Sequence, residues 1–194
     1  MRKTKEETDM TIQRMTAIAR KLFAEKGYTN IALEEIVQEA GLTRGALYHH
    51  FNNKKGLFLA VFEEVQRDIA RQIETEAMKS TDLWEQLLLG CHAFVVSASE
   101  AHNHRILLVD GPAILGWDTF RKMDQQHSMK SLMEHLELLQ KQGMIKPIAI
   151  EAMTHCLSGA MNEAALWVAE HPDHQQAVDQ VMDSLRALLH GFRM

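Results

Sequence analysis

The chain has 194 residues, of which 46% are apolar and 24% are charged, and its formal net charge is −5 at pH 7. That length supports the hydrophobic core of one domain or two small ones, and no apolar run reaches the roughly 18 residues that a membrane span needs. The charged N-terminus lacks the apolar stretch of a secretory signal, and the isolated cysteines Cys91 and Cys156 favour a reducing compartment over a disulfide framework. A cytoplasmic protein without membrane association is therefore expected.

The first 53 residues contain three predicted helices. Apolar residues recur at helical spacing over residues 8–26, and Gly27 is typical of the residue that ends a helix. Shorter helices follow over residues 33–40 and 44–51. They join at Gly41, and Asn52 and Asn53 interrupt the pattern after them. Two short helices joined in this way indicate a helix-turn-helix, whose second helix enters the major groove of DNA.

The remaining sequence predicts six further helices and no sheet. A long helix over residues 54–78 is followed by helices over residues 83–99 and 103–109. Asp110-Gly111-Pro112 and Gly116 interrupt the periodicity, and helices over residues 117–142, 149–170 and 173–192 complete the chain. The predicted fold is all-α, with a helix-turn-helix domain over residues 1–53 and a larger helical domain over residues 54–194.

Charge and side-chain chemistry both favour DNA as the partner of the first domain. Residues 1–56 hold ten Lys or Arg and seven Asp or Glu, a net charge of +3, whereas the rest of the chain has a net charge of −8. Thr43 stands at the start of the predicted recognition helix, where a hydroxyl suits a phosphate. Arg44 can reach guanine O6 and N7 or a phosphate. Gly45 lets the backbone approach DNA, and Tyr48 and His49 lie one turn further, within reach of a phosphate or a base edge.

Residues 19–57 resemble the TetR/AcrR family of bacterial transcriptional regulators. The matching residues, at the spacing of that family, are Ala19, Leu22, Phe23, Ala24, Glu25, Lys26, Gly27, Tyr28, Ile36, Ala40, Gly41, Leu42, Thr43, Gly45, Ala46, Leu47, Tyr48, His50, Phe51, Lys54 and Leu57. The resemblance implies that Lys54 binds a DNA phosphate. It also implies a homodimer on a double-stranded DNA operator and a small-molecule effector in the C-terminal half. Ala32 departs from the family, which usually has Ser or Thr there, so the second helix is expected to lack a side-chain cap.

The last two predicted helices are candidates for the dimer interface. One helix-turn-helix covers one half-site, so a regulator gains affinity by pairing two of them on a symmetric operator. Apolar stripes and small residues on these helices indicate an intermolecular four-helix bundle. The predicted interface residues are Leu157, Ala160, Met161, Ala164, Val178, Val181, Met182, Leu185 and Leu189. The alternative is that the stripe packs only inside its own chain.

The middle of the chain is rich in methionine and aromatic residues, which suit a pocket for varied apolar ligands. The predicted ligand-binding residues are Trp84, Phe94, Trp117, Phe120, Met123 and Trp167, with His127 and Asn162 to orient a polar end. Such residues are more often part of an ordinary core than of a pocket wall. The expected effector is small and either lipophilic or aromatic.

Other functional classes have weaker support. The eleven histidines suggest a metal sensor, but none of their spacings matches a defined zinc site, so neither a metal nor a cofactor is expected. A glycine-rich phosphate loop, HExxH and GxSxG are all missing, so catalysis is not predicted. The predicted function is a ligand-responsive repressor that binds a palindromic operator as a dimer and is released by its effector. The alternatives are a metal-responsive or activating regulator of this fold and a helical interaction module that does not bind DNA.

Overall fold

A computed structural model describes residues 5–194, and the regular secondary structure in that range is helical. Arg2 and Lys3, which contribute to the basic N-terminal segment, lie outside the described residues. The helices are α1 Lys5–Lys26, α2 Leu33–Glu39, α3 Arg44–Phe51, α4 Lys54–Ala77, α5 Leu83–Ser99, α6 Gly111–Leu115, α7 Trp117–Gln126, α8 Ser128–Lys141, α9 Ile150–Glu170 and α10 His174–His190, with a π-helical segment, Arg105–Asp110, leading into α6. Within residues 5–194 there is no strand, only one bridge between Ile145 and Arg193. The all-α prediction is confirmed. No helix in that range has the length and apolar character that a membrane span requires.

The described chain divides into two compact units, of which the first comprises Met1–Val65 and Ala101–Phe120. Its core contains Phe23 of α1, Ile36 of α2, Leu47 of α3, and Phe58 and Phe62 of α4, all fully buried. The rings of Phe23 and Phe58 meet edge to face with centroids 5.3 Å apart, a favoured aromatic geometry. This unit includes the predicted helix-turn-helix segment, the first half of α4 and residues 101–120. A domain boundary at residue 53 stays a prediction.

Glycine fixes two junctions in the helix-turn-helix. Gly41 joins α2 to α3 with φ at +61°, a conformation that side chains with a Cβ rarely adopt. Gly56, in the first turn of α4, lies so close to α3 that an added Cβ would be 2.0 Å from the carbonyl oxygen of Phe51. These positions therefore set the course of the chain on both sides of the recognition helix.

Residues 101–120 belong to the first unit because hydrogen bonds join them to α1 and the turn after it. Arg20 donates to the buried Asn103 side chain at 3.0 Å, and the backbone N–H of Tyr28 donates to Asp110 Oδ2 at 2.8 Å. The interruption predicted at Asp110-Gly111-Pro112 is instead the start of α6. Proline is tolerated there because the first helical N–H groups have no intrahelical acceptor.

The second unit comprises Gln66–Glu100 and Arg121–Met194, and α5 packs against α9 at its centre. Helices α8 and α10 also contact both of these helices, which buries Leu136, Val168 and Leu189 completely. The chain end is held by the N–H of Lys146, which donates to the carbonyl of Phe192 at 2.8 Å. Four helices thus enclose the core of this unit.

The single helix predicted over residues 117–142 is wrong, because His127 separates α7 from α8. This residue has φ −122° and ψ −104°, well outside the helical region. Periodicity does not detect the break, since apolar residues continue at helical spacing on both sides and neither glycine nor proline marks it.

Candidate nucleic-acid interface and internal cavity

The exposed face of α3 brings together five of the predicted DNA-binding residues. Thr43, Arg44, Gly45, Tyr48 and His49 are all exposed, and Tyr48 retains 47% of its accessible surface. On the other side of the helix Leu47 and Phe51 are buried. The recognition helix therefore presents polar side chains outward while two large apolar side chains hold it to the unit.

Local caps differ between the two helices of the motif. The Thr43 hydroxyl accepts a hydrogen bond from the Ala46 N–H at 3.2 Å, so Thr43 caps α3. Its own O–H can still donate to an anion. The residue before α2, Ala32, provides no side-chain cap, which confirms that departure from the family pattern.

Arg44 forms an ion pair with Glu34 of α2. Glu34 was not among the predicted residues, although an acid in the first turn of α2 is visible in the sequence. Both side chains are more than half exposed, and exposed pairs contribute only about 0.2–1 kcal/mol. The guanidinium can therefore leave Glu34 at little cost when a stronger partner approaches.

Lys54 is half-buried at the start of α4 and has defined partners. Its ammonium donates to the Tyr28 carbonyl and lies 4.3 Å from the centroid of the Tyr28 ring. Burial lowers the pKa of Lys54, and the negative charge of Asp110 opposes that shift. Tyr28 is thus bonded on one side to Lys54 and on the other to Asp110, a chain of contacts that periodicity alone did not predict. It holds the Lys54 side chain in one place.

A cavity of about 320 Å³ lies within the second unit, between α4, α5, the end of α7, α8 and α9. Its lining residues are Ile73, Glu74, Ala77, Met78, Gln86, Leu87, Gly90, Cys91, Phe94, Asp124, Ser128, Met129, Ser131, Leu132, His135, Ser158 and Met161. Most of them are apolar. The volume is near the lower end of the range for small-molecule sites, which run from roughly 300 to 1,000 Å³.

Of the eight predicted ligand-binding residues, Phe94 lines this cavity and the other seven do not. Trp84 is buried under the guanidinium of Arg193, 4.7 Å from its ring. Trp117 and Phe120 belong to the first unit, where their rings contact each other. The remaining four lie elsewhere: Met123 is buried on α7, His127 separates α7 from α8, Asn162 is half-buried on α9 and Trp167 is exposed on α9.

The polar end of the cavity is formed by residues that the sequence did not indicate. Asp124 Oδ2 accepts hydrogen bonds from Arg121 at 3.0 Å and from the Ser158 hydroxyl at 3.2 Å. Burial raises the pKa of Asp124, although Arg121, Ser158 and His155 act in the opposite direction. Ser128, also buried, has an Oγ without any hydrogen-bond partner. Besides its apolar residues, the cavity wall therefore carries a carboxyl group and two hydroxyls that are buried.

Native protein should expose one reactive thiol per chain. Cys91 on the cavity wall is fully buried, and burial raises the pKa of its thiol to about 12, so at pH 8 about one molecule in 10⁴ holds the reactive thiolate. Cys156 is exposed. A chromogenic disulfide reagent at pH 8 should count one thiol in the native chain and two in guanidinium chloride. The variant Cys156→Ser should show none before unfolding; two fast thiols in the native wild type would contradict this assignment.

The predicted dimer stripe lies mainly inside the protomer. Six of its residues, Leu157, Met161, Val178, Met182, Leu185 and Leu189, are at most 5% exposed. They pack in the core of the second unit, so almost none of their surface is left for a partner. Val181 is 9% exposed, Ala164 is half-buried and Ala160 is exposed.

A different strip of α9 and α10 presents apolar surface. Trp167 is 45% exposed and Leu188 is 60% exposed. They line a shallow groove together with Ala160, Ala164, Gln180, Val181, Ser184 and Leu185. Large apolar side chains grouped on one face are typical of an interaction surface.

Comparison with known families decides what kind of protein this is. A family model described as "Tetracyclin repressor-like, C-terminal domain" matches residues 84–192, more than half of the chain. A second model, "Bacterial regulatory proteins, tetR family", matches residues 16–61, which include α2 and α3. The chain belongs to the TetR family.

Relatives within the TetR family match over different lengths. A TetR-family transcriptional regulator from Pectobacterium atrosepticum is 33% identical, with a TM-score of 0.82 over 99% of this chain and 98% of that one. The transposon Tn10 TetC protein of Escherichia coli is 27% identical over 77% of this chain and 75% of its own length. The regulator AcrR of Shigella flexneri is 40% identical, over 39% of this chain and 34% of its own length.

As a TetR-family protein, the chain is a transcriptional regulator. The named relatives are regulators rather than enzymes. Membership implies binding to a DNA operator and a dimer, and ligand-responsive regulation is typical of the family. Within residues 5–194 no group of three or more His, Cys, Asp or Glu side chains could hold a metal ion.

Proposed function

We propose that a dimer of this chain represses transcription in the cytoplasm by placing the two α3 helices in successive major grooves of a palindromic operator. The observation on which this rests is the exposed face of α3, where Thr43, Arg44, Gly45, Tyr48 and His49 stand opposite the buried Leu47 and Phe51. Arg44 recognises a base edge, because one guanidinium can donate two hydrogen bonds at once to O6 and N7 of a guanine. The hydroxyls of Thr43 and Tyr48 donate hydrogen bonds to phosphates, which fixes the register of α3 on the duplex.

We infer that the second copy of the chain covers the groove between α9 and α10. Trp167 and Leu188 are the large apolar side chains that such a contact removes from water, and Ala160 and Ala164 allow two helices to approach closely. A two-fold axis there brings the same groove of both protomers together. The dimer then presents two α3 helices, one to each half-site of a symmetric operator.

An effector in the cavity releases the operator in this proposal. Helix α4 holds Lys54 in its first turn and contributes Ile73, Glu74 and Ala77 to the cavity wall. A bound molecule that favours one position of α4 therefore changes where Lys54 stands. Coupling of about 1–3 kcal/mol between two sites is usual for such regulators and changes DNA affinity about 5- to 150-fold.

The proposed function can be tested by selecting duplexes from a random pool with the purified full chain. Enrichment of inverted repeats whose half-sites lie about one helical turn apart supports the dimer on a palindrome. Enrichment of single half-sites contradicts the symmetric arrangement, and recovery of unenriched sequences contradicts specific DNA binding. The selection is repeated in 50 and 200 mM salt, because non-specific binding weakens steeply with salt.

Lys54→Ala should weaken binding to operator and random duplexes by the same factor. A phosphate contact carries no sequence information, so the slope of log K against log salt should become shallower by about one unit. Fluorescence anisotropy over a salt series measures both quantities. Lys79→Ala is the matched control, because Lys79 is an exposed lysine that pairs with Glu76 beyond the end of α4. A changed sequence preference with an unchanged salt slope would assign Lys54 to a base instead.

A further inference from the structure

Acidic side chains outnumber basic ones on the cavity wall. Among the described residues that line it there are two acids, Glu74 and Asp124, and one histidine, His135, but neither lysine nor arginine. The guanidinium of Arg121 is near, yet its Nη1 donates to Asp124 Oδ2 at 3.0 Å, so that charge already has a carboxylate partner. The cavity therefore offers an incoming anion no lysine or arginine of its own, and the His135 ring is already bonded through Nε2 to the Leu83 carbonyl at 2.7 Å.

The polar end of the cavity offers hydrogen-bond acceptors. The Ser128 hydroxyl is buried, lines the cavity and has no partner, so a ligand can supply the one it lacks. Ser158 donates its own proton to Asp124 and accepts from Arg121 Nη1 at 3.5 Å, which leaves one lone pair to accept from a ligand. Asp124 is a third acceptor beside them. All three groups line the cavity, and each can accept a hydrogen bond from a ligand.

We propose that the effector is an uncharged or cationic apolar molecule whose polar end is a hydrogen-bond donor, bound by Ser128, Ser158 and Asp124. This deepens the proposed function and rests on the cavity being the effector site. Phe94, Leu132 and Met161 pack against the apolar body. A volume of about 320 Å³ suits one or two rings with a short alkyl chain.

A carboxylate of the same shape binds poorly for a physical reason. It loses its hydration on entering an apolar chamber, and it meets Asp124 and Glu74 rather than a cation. An ammonium has its charge balanced by those same acids, and a hydroxyl has no charge to desolvate. The charge of the head group, rather than the apolar body, therefore decides which molecules bind.

Three probes that share one apolar body test the proposal on the full chain: 4-butylbenzylamine, 4-butylphenol and 4-butylbenzoate at pH 7.5. Isothermal titration or ligand-observed NMR should show binding of the amine and the phenol, with the benzoate at least about tenfold weaker. Asp124→Asn should invert that order for amine and benzoate, because it removes one of the two wall carboxylates and, with it, the carboxylate that neutralises the nearby Arg121 guanidinium. Circular dichroism of each variant checks that the fold is kept.

The hydroxyl is tested separately with Ser128→Ala. Affinity for the phenol should fall about three- to tenfold, the factor that one hydrogen bond represents. Thr75→Ala is the matched control, because Thr75 is an exposed hydroxyl residue of α4 that does not line the cavity. Affinity for the phenol should be unchanged in that control.

Several outcomes overturn the proposal. It is overturned if the benzoate binds as tightly as the amine, or if Asp124→Asn leaves the relative affinities of amine and benzoate unchanged. It is also overturned if the wild type binds none of the probes at millimolar concentration. Operator release is measured independently by anisotropy with the selected duplex. Probes that bind in the expected order without releasing the operator support the ligand class and contradict the effector role. Release by the benzoate supports the effector role and overturns the ligand class.

Discussion

Leu188→Glu is expected to convert the dimer to monomers and to lower operator affinity by about 10²- to 10⁴-fold, the factor by which linking two binding modules raises avidity. Leu188 is 60% exposed and lines the groove between α9 and α10, so the protomer itself tolerates a charge there. In the proposed dimer the carboxylate is buried against its symmetry mate, where two like charges repel. Sedimentation velocity and anisotropy with the selected duplex measure both effects.

Leu188 is a better position for this test than its neighbour Leu185, which is buried in the protomer. Leu185, one turn earlier, is only 3% exposed, so glutamate there would place a charge inside the protomer and unfold it. Arg186→Glu is the control, because Arg186 lies about 200° around α10 from Leu188. Its ion pair with Asp183 is exposed and contributes little. A dimer mass that Leu188→Glu leaves unchanged would move the interface to another surface.

Arg44→Ala is expected to cost about 1–3 kcal/mol on the selected operator, or roughly 5- to 150-fold in Kd. The loss should be small on random duplexes, because only the cognate site offers a guanine at the position that Arg44 reads. Repeating the duplex selection with the variant should show relaxed preference at one base pair in each half-site. Arg71→Ala, which removes an exposed arginine of α4, should leave that preference intact.

The partner of Arg44 provides an internal check on this assignment. Glu34→Gln frees the guanidinium and removes a negative charge beside the duplex, so operator affinity should rise up to about fivefold. In the double variant with Arg44→Ala most of that gain should disappear, which a double-mutant cycle measures. If Glu34→Gln instead weakens operator binding, Glu34 orients Arg44 or contacts a base itself.

The helix-turn-helix could be predicted from sequence because its geometry is set by neighbouring residues. Gly41 marks the turn by its positive φ, Thr43 marks the start of α3 by its cap, and the spacing of Leu47 and Phe51 marks the buried side. Each of these signals acts over four residues or fewer. The exposed face of α3 follows from them directly.

The cavity could not be predicted in the same way. Periodicity indicates that Trp84 and Phe94 are both buried, but not that one contacts Arg193 while the other faces an open chamber. Asp124 with Arg121 three residues earlier reads as an ordinary surface pair on a helix, and only the fold buries it. The exposure of Trp167 was not predicted either, because an aromatic residue within an apolar stripe is typical of a buried position.

The bond between Tyr28 and Asp110 limits how the DNA-reading part can be exchanged among family members. Asp110 lies 82 residues after Tyr28, yet it belongs to the same compact unit as α1 to α3. A chimera joined after residue 53 would replace both partners of Tyr28, Lys54 and Asp110, by residues of a foreign chain. Transplanting operator specificity therefore calls for two pieces of chain moved together, the N-terminal 65 residues and the stretch 101–120.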